Sequence, residues 1–234
     1  MAKLLISVRD HHEAVTAMLA GADIIDVKEP TRGSLGAADE ETVHNVIAQV
    51  NDQLPVSMAC GELSQLDEAV CSVGNLPVRY AKIGMSEYRG RTSWRTDWSN
   101  WCRSLHVGTQ PIAVVYADTA LANSPPPLEI ISFAPHVGCA GILIDTFRKQ
   151  KSRSLLDCCS PVDVIKMIQT AQEKSLFVAV AGSLDRNSIP TVLDWGPEII
   201  AIRGAACGKN RLGRIDSRKV HRLVAVLASQ TAAS

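Results

Sequence analysis

The sequence is poor in aromatic residues and has no net charge. Its 234 residues include only three Phe, three Tyr and four Trp, and 24 basic side chains balance 24 acidic ones. A neutral chain has no overall field to attract a nucleic-acid backbone or an anionic membrane, and few aromatic rings are available for base stacking. We therefore expect neither a nucleic-acid partner nor a membrane partner.

The sequence also lacks paired cysteines and long apolar runs. Its seven cysteines are scattered and contain no CxxC pair, which argues against a zinc site or a disulfide framework. No apolar run approaches the ~20 residues that cross a bilayer, and the apolar stretch at the start is too short for a signal-peptide core. We expect a soluble, reduced, cytoplasmic protein that holds no metal.

Short aliphatic runs alternate with longer amphipathic stretches along the chain. Continuous β-branched runs are typical of buried parallel strands, and the stretches between them have helical spacing. Asp10, Asp39, Ser160 and Asp216 each precede such a stretch, as N-cap residues do. The predicted strands are Leu4–Val8, Asp23–Lys28, Pro55–Cys60, Val78–Gly84, Pro111–Tyr116, Gly141–Asp145, Phe177–Ala181 and Glu198–Arg203.

Eight strand–helix units in this length indicate a (β/α)8 barrel, whose usual size is about 250 residues. We predict a single (β/α)8 TIM barrel domain over residues 1–234. A doubly wound open sheet is the alternative. The first strand-to-helix turn, Val8-Arg9-Asp10, lacks the GxGxxG fingerprint of dinucleotide-binding sheets, so that alternative has less support.

Polar residues that close the predicted strands are the candidates for chemistry, because barrel active sites lie at the carboxyl ends of the strands. Period-two alternation places Asp26 and Lys28 on the face opposite Ile25 and Val27, which would direct both charges to the barrel axis. The same reasoning selects Lys82, Asp145 and Arg203, together with Tyr116 and Asp118. Each strand-end charge has a plain alternative, which is exposure to solvent or an internal ion pair.

Lys28 and Lys82 end different strands of the same predicted barrel. Two ammonium groups in a confined site repel each other, which lowers the pKa of at least one from ~10.4 toward neutrality. A neutral lysine attacks an aldehyde or ketone to form a Schiff base. The pair therefore predicts aldolase-type chemistry without a metal.

Small residues follow the seventh and eighth predicted strands, where barrels frequently bind phosphate. Gly182 and Ser183 follow strand seven, and Arg203, Gly204 and Ala205 follow strand eight. Small side chains allow backbone N–H groups to approach an anion, and a guanidinium adds a charge-assisted contact. We predict a phosphate site here, with ordinary tight turns as the alternative.

The Arg89–Arg103 region holds four arginines and three tryptophans, a combination also seen in RNA-binding patches. Its acidic and polar interruptions and the zero net charge favour a solvated helix and loop instead. The six histidines fall on predicted helices, outside the strand-end set. Cys207 has no histidine in that set to activate it, so close packing is its expected role.

Several strings, taken together and in order, resemble the (5-formylfuran-3-yl)methyl phosphate synthase family. The resemblance runs from the first strand to the start of the last helix. It weakens between Ser86 and Asn100, so contacts from that loop are left open. The matching strings are GADIIDVK at 21–28 with Pro30 and GSLG at 33–36, KIG at 82–84, YAD at 116–118, DT at 145–146, AGS at 181–183 and RGAAC at 203–207.

The resemblance implies a barrel lyase of methanofuran biosynthesis. Such an enzyme condenses two glyceraldehyde 3-phosphate molecules into a furancarboxaldehyde phosphate without a metal or organic cofactor. Lys28 would then be the Schiff-base lysine and Lys82 the proton acceptor, while Asp26 and Asp145 orient groups and relay protons. Lys149 is the expected further basic residue.

Other readings stay open at this point. Arg148 and Lys151 flank Lys149, so the register of the expected basic residue is unsettled. Another Schiff-base aldolase, a phosphotriose isomerase and a non-catalytic phosphate-metabolite sensor also fit the residues. The sequence does not decide whether the chain forms a homo-oligomer. It also does not decide the order and stereochemistry of the chemical steps. It also leaves open whether the furan serves an archaeal methane pathway or bacterial one-carbon oxidation.

Overall fold

The computed structural model describes residues 2–65, 76–148 and 154–231. Within them, eight parallel strands form one closed barrel in which each strand pairs with the next and the last pairs with the first. The predicted (β/α)8 barrel is therefore confirmed, and the open sheet is excluded. The strands are β1 (Lys3–Val8), β2 (Ile24–Val27), β3 (Val56–Glu62), β4 (Tyr80–Gly84), β5 (Gln110–Tyr116), β6 (Gly141–Asp145), β7 (Phe177–Val180) and β8 (Ile199–Ile202).

Helices occupy the connections between the strands. Asp10 caps the first helix by accepting a 2.8 Å hydrogen bond from the Glu13 backbone N–H, and Ser160 caps a later helix by accepting one from Asp163 N–H. Asp39 precedes its helix without a side-chain cap. The described α-helices are α1 (His11–Leu19), α2 (Glu40–Val50), α3 (Trp94–Ser104), α4 (Thr119–Ala122), α5 (Pro127–Phe133), α6 (Leu155–Cys158), α7 (Pro161–Gln172), α8 (Ile189–Leu193) and α9 (Ser217–Thr231). Short 3₁₀ turns lie at Pro30–Arg32, Leu63–Gln65, Ala134–Val137 and Gly204–Ala206.

The apolar side chains form two layers on either side of the barrel wall. Ile25 and Val27 belong to the outer layer, which packs the strands against the helices. Ile24 belongs to the inner layer, with residues such as Leu5 and Val114 from other strands. Alternate side chains of β2 thus face opposite sides, as the period of a strand requires. The inner layer packs the middle of the barrel.

The tryptophan-rich region differs from its prediction as a solvated helix and loop. It does form a helix, α3, but Trp94, Trp98 and Trp101 are all buried. The spacing of four and three residues places the three rings on one helix face, and that face joins the outer core. Arg95 remains more exposed and lies over the Trp94 ring, with its guanidinium carbon 4.3 Å from the ring centroid. The tryptophans therefore act as core residues.

In the described part of the chain, every helix is too short or too polar to cross a membrane.

Candidate active site

A cavity of about 200 Å³ opens at the carboxyl ends of the strands. Most of the predicted site residues that the structure describes line it, but Tyr116 and Asp118, which were also selected at strand ends, do not. Lys149 was also predicted, but it lies outside the described residues. The lining includes Ser7 and Arg211, which the sequence argument did not select. The predicted residues in the lining are Asp26, Lys28, Lys82, Asp145, Gly182, Ser183, Arg203, Gly204 and Ala205.

An ion pair joins β2 to β4 inside the barrel. Lys82 Nζ donates a short hydrogen bond to Asp26 Oδ1, and the hydroxyl of Ser7 on β1 donates to Asp26 Oδ2 over 2.8 Å. All three side chains are buried. The two oxygens of Asp26 are thus committed to different strands, which fixes the carboxylate and holds the Lys82 amine at the floor of the cavity.

Lys28 follows β2 and lies at the same cavity as Lys82. Its Nζ donates to the Ser34 carbonyl over 3.4 Å, and the side chain is largely buried. The hydroxyl of Ser34 in turn donates to Asp145 Oδ2 on β6 over 3.0 Å. Ser34 therefore links the lysine after β2 to the carboxylate of β6. Ser34 belongs to the GSLG string of the sequence, but no role was expected for it.

A third carboxylate, Glu62 at the end of β3, is partly buried beside Tyr116 of β5. The Tyr116 hydroxyl donates a short hydrogen bond to Glu62 Oε1, and Ser86 N–H donates to Glu62 Oε2 over 2.9 Å. Burial raises the pKa of Glu62, with Asp145 adding to the shift, although the two donors oppose it. Burial and the Glu62 charge raise the pKa of Tyr116 well above its usual value. The pair ties together the ends of β3, β4 and β5 around Lys82.

Glu62 was not predicted as a site residue, and the reason is geometric. Strand β3 was expected to end at Cys60, and a strict alternation from Ser57 and Ala59 would place residue 62 on the outer face. The register of β3 against β4 shifts between Ala59 and Glu62, and Gly61 takes a positive φ of 78°. Such an irregularity re-aims the following side chain. The glycine before Glu62 was the available sequence signal.

Asp118 follows β5 and fixes the loop that follows β6. Its carboxylate accepts hydrogen bonds from the backbone N–H groups of Phe147 and Arg148, at 2.6 and 3.1 Å. The Phe147 ring contacts the edge of Tyr116, with centroids 5.3 Å apart. Asp118 therefore orders the two residues that immediately precede Lys149.

The turns after β7 and β8 leave backbone donors at the cavity wall. Gly182 and Ser183 both take positive φ, 105° and 57°. A Cβ on Gly182 would lie 2.8 Å from Leu155 Cβ, so this close approach needs glycine. The backbone N–H groups of four residues donate to no acceptor among the described residues; these residues are Gly182, Ser183, Gly204 and Ala205. Four donors of this kind around one cavity suit an anion.

Each of the three guanidinium nitrogens of Arg203 donates a hydrogen bond to another group of the protein. Nη1 donates to Glu13 and to the Ser7 carbonyl, Nε to the Arg211 carbonyl over 2.7 Å, and Nη2 to the Gly213 carbonyl over 3.2 Å. The Arg203–Glu13 pair is fully buried, with both side chains 3% exposed. The guanidinium thus anchors the loop after β8, and the predicted contact of Arg203 with phosphate stays a prediction.

Two thiols near the site are buried. Burial raises the pKa of Cys60 to about 12, and burial also raises the pKa of Cys207. The Cys207 Sγ contacts the Arg203 carbonyl oxygen at 3.2 Å, so the expected close packing is observed. Across the described ranges, no group of three or more His, Cys, Asp or Glu side chains is arranged to hold a metal ion.

Comparison with known proteins gives consistent matches over nearly the whole chain. A family model described as 4-HFC-P synthase matches residues 4–224. A (5-formylfuran-3-yl)methyl phosphate synthase from Methanopyrus kandleri is 34% identical, covering 97% of this chain and 99% of that protein. A protein of the same name from Methanosarcina barkeri is 30% identical, covering 95% of this chain and 98% of that protein.

Among solved structures, phosphoribosyl anthranilate isomerase from Thermotoga maritima is similar with a TM-score of 0.64. The match covers 98% of this chain and 100% of that chain at 11% sequence identity. At so low an identity, the similarity concerns the barrel fold alone.

Proposed function

The chain belongs to the 4-HFC-P synthase family, and on that premise we propose that it forms (5-formylfuran-3-yl)methyl phosphate from two molecules of glyceraldehyde 3-phosphate. The proposed reaction is a lyase reaction through a Schiff base on Lys28, without a metal or organic cofactor. The relatives carry the name of the product; the substrate and the lysine are parts of this proposal.

The observation that carries the proposal is the meeting of two lysines and two carboxylates in one cavity. Lys28 follows β2 and Lys82 lies on β4, with Asp26 bonded to Lys82 and Asp145 linked to Lys28 through Ser34. An amine nucleophile and a nearby proton acceptor are what imine chemistry at a carbonyl carbon requires. Their burial limits access of water to the imine.

In the first steps, neutral Lys28 attacks the aldehyde carbon of one triose, and loss of water gives an iminium ion. Lys82 removes a proton from the neighbouring carbon while the proton of its ion pair moves to Asp26, and the electron pair of that C–H bond forms an enamine. The enamine carbon then attacks the aldehyde carbon of the second triose. Asp26 keeps the Lys82 amine in place.

The remaining steps make the ring aromatic without any oxidant. Two glyceraldehyde 3-phosphate molecules contain the atoms of the product plus one phosphate and two waters, so eliminations and ring closure complete the balance. Hydrolysis of the imine returns Lys28. Asp145 and Lys149 would move protons between the oxygens that leave and the oxygen that closes the ring.

The phosphate groups need a separate binding region. We assign one phosphate to the backbone N–H groups of Gly182, Ser183, Gly204 and Ala205, with Arg203 supporting this wall of the cavity. These donors are unpaired within the described part of the chain, and unpaired backbone donors of this kind favour a phosphorylated substrate.

The test is reductive trapping with sodium borohydride in the presence of glyceraldehyde 3-phosphate, followed by peptide mass spectrometry. We expect one adduct on Lys28, formation of a furan absorbance, and release of one phosphate for each furan. Lys28→Ala should lose both the adduct and the turnover, while Lys174→Ala, at an exposed site between the end of α7 and the start of β7, should keep both. Losing Lys82 or Asp145 should slow turnover by about 10²- to 10⁴-fold, which is the range for one acid–base group.

The competing functions give different results in the same assay. Dihydroxyacetone phosphate as the only product would identify an isomerase, and a different condensation product would identify another Schiff-base aldolase. Thermal stabilisation by the triose without turnover or adduct would identify a phosphate-metabolite sensor. If the proposal holds, the product belongs to methanofuran biosynthesis.

A further inference from the structure

Arg211 stands at the mouth of the cavity on the loop after β8. Its side chain lines the cavity and is only partly exposed, and its Nη2 donates to the Gly33 carbonyl over 3.1 Å. A Cβ on Gly204 would lie 3.8 Å from the Cβ of Arg211. Arg211 therefore lies next to Gly204, whose backbone N–H has no acceptor among the described residues.

The loop that carries Arg211 is held in place from several sides. Arg203 donates to the carbonyls of Arg211 and Gly213, Arg9 donates to the Leu212 carbonyl over 2.9 Å, and Gly208 N–H donates to the Arg214 carbonyl over 2.9 Å. A buried ion pair anchors Arg203 itself. The backbone at Arg211 is thus fixed before any ligand binds, which lowers the entropic cost of using its side chain.

The charge of Arg211 is incompletely balanced. In the described residues, no carboxylate forms an ion pair with its guanidinium, which donates only to the neutral carbonyl of Gly33. Burial lowers the pKa of Arg211, and the positive charge of Arg203 adds to that effect, while the charge of Asp145 opposes it. A partly buried cation without a carboxylate partner gains most from an anionic ligand.

We propose that Arg211, rather than Arg203, is the guanidinium that binds the substrate phosphate, together with the backbone N–H groups of Gly182, Ser183, Gly204 and Ala205. Guanidinium groups bind phosphate through two parallel charge-assisted hydrogen bonds. The donors of Arg203 are already used by Glu13 and three backbone carbonyls. Arg203 acts as a positioning residue that presents the loop. The inference rests on the proposed function, because it takes the substrate to be a phosphorylated triose.

The test is calorimetric titration of inorganic phosphate into the full chain and its variants. Arg211→Met should weaken phosphate binding by about 10- to 100-fold, as expected for loss of hydrogen bonds between charged groups. Arg214→Met is the matched control, because Arg214 lies on the same loop with an exposed side chain. Its Kd for phosphate should stay within about twofold of that of the unchanged protein, which is the scatter expected for surface substitutions. Arg211→Lys should fall between the two, and it provides the comparison if Arg211→Met folds poorly.

A second measurement separates binding of the phosphate from a general distortion of the loop. Borohydride labelling by D-glyceraldehyde, which has no phosphate, should be the same in Arg211→Met as in the unchanged protein, while labelling by glyceraldehyde 3-phosphate should need a higher concentration. Equal loss with both sugars would overturn the proposal, as would equal effects of the Arg211 and Arg214 changes, an unchanged phosphate affinity in Arg211→Met, or no phosphate binding by the unchanged protein.

The two proposals fail in different ways. If no furan and no adduct form, the proposed function is wrong, and the phosphate titration still tests Arg211 by itself. If furan forms normally and Arg211→Met keeps its phosphate affinity and its KM for the triose, the proposed function stands and the role of Arg211 is wrong.

Discussion

Replacing Asp26 by Asn should destabilise the fold as well as the active site. Asp26 and Lys82 form an ion pair whose side chains are only 3% and 5% exposed. Asn keeps the size of the side chain, and its amide NH2 can donate to the Ser7 hydroxyl, which accepts as well as donates, but Asn removes the negative charge. Lys82 would then be a buried cation whose charge has no compensation from its nearest neighbour.

The magnitude follows from burial. Removing one partner of a buried ion pair typically costs about 3–5 kcal/mol, because an uncompensated charge remains in a medium of low polarity. The lower end applies to Asp26→Asn, since an amide oxygen can still accept a hydrogen bond from Lys82 Nζ. For a chain of this length, 1 kcal/mol corresponds to about 2–4 °C in Tm, so we expect a decrease of about 6–12 °C.

The assay is a double-mutant cycle followed by urea and thermal unfolding. The single changes are Asp26→Asn and Lys82→Met, and the double variant removes both charges. Because a neutral pair avoids the cost of desolvating ions, the double variant should recover to within about 1 kcal/mol of the unchanged protein. Asp39→Asn is the matched control, since Asp39 forms an ion pair of 2.8 Å with Arg32 in which both side chains are largely exposed; its loss should cost no more than about 1 kcal/mol.

Two results would refute the reasoning. The first is a cost of Asp26→Asn no larger than that of Asp39→Asn, which would show that Lys82 gains little from the carboxylate. The second is a double variant no more stable than Asp26→Asn, which would show that the cost comes from lost packing and not from an uncompensated charge.

Three further predictions concern the rim of the barrel. Since burial raises the pKa of Glu62, its proton stabilises the fold at low pH and this contribution is lost as the pH rises through the raised pKa; Glu62→Gln should therefore gain stability relative to the unchanged protein between mildly acidic and neutral pH, measured by urea unfolding at each pH. Gly84→Ala should cost about 1–3 kcal/mol in the same assay, because the added methyl would overlap the bonded carboxylate of Glu62 and the hydroxyl of Tyr116. The Cys60 thiol, buried and with a pKa of about 12, should resist alkylation at pH 8 until the protein unfolds, whereas half-buried Cys102 should react first.

Each of these has a result that contradicts it. A stability difference for Glu62→Gln that is flat with pH would mean that the carboxyl titrates normally. Unchanged stability in Gly84→Ala would mean that Glu62 and Tyr116 yield at little cost. Reaction of Cys60 at the rate of Cys102 in the folded protein would mean that the interior of β3 is open to solvent.

The sequence was sufficient to predict the barrel and the inward direction of its main charges. Aliphatic runs of strand length, separated by helix-capping residues such as Asp10 and Ser160, recur eight times, and both features depend on local backbone geometry. The direction of Asp26 was predictable for the same reason, because alternation along a strand needs only the residues on either side of it.

Tertiary structure decided which side chains contact one another and which of them remain available to bind a ligand. Glu13 pairs with Arg203 across 190 positions of sequence, and no local pattern shows that this guanidinium is used in anchoring a loop while Arg211 faces the cavity. Glu62 reaches Tyr116 only because a register shift turns the end of β3. Local periodicity determines which face of a strand a side chain leaves. Closure of the barrel then brings residues that are distant in sequence together, and their hydrogen bonds decide which partner each side chain has.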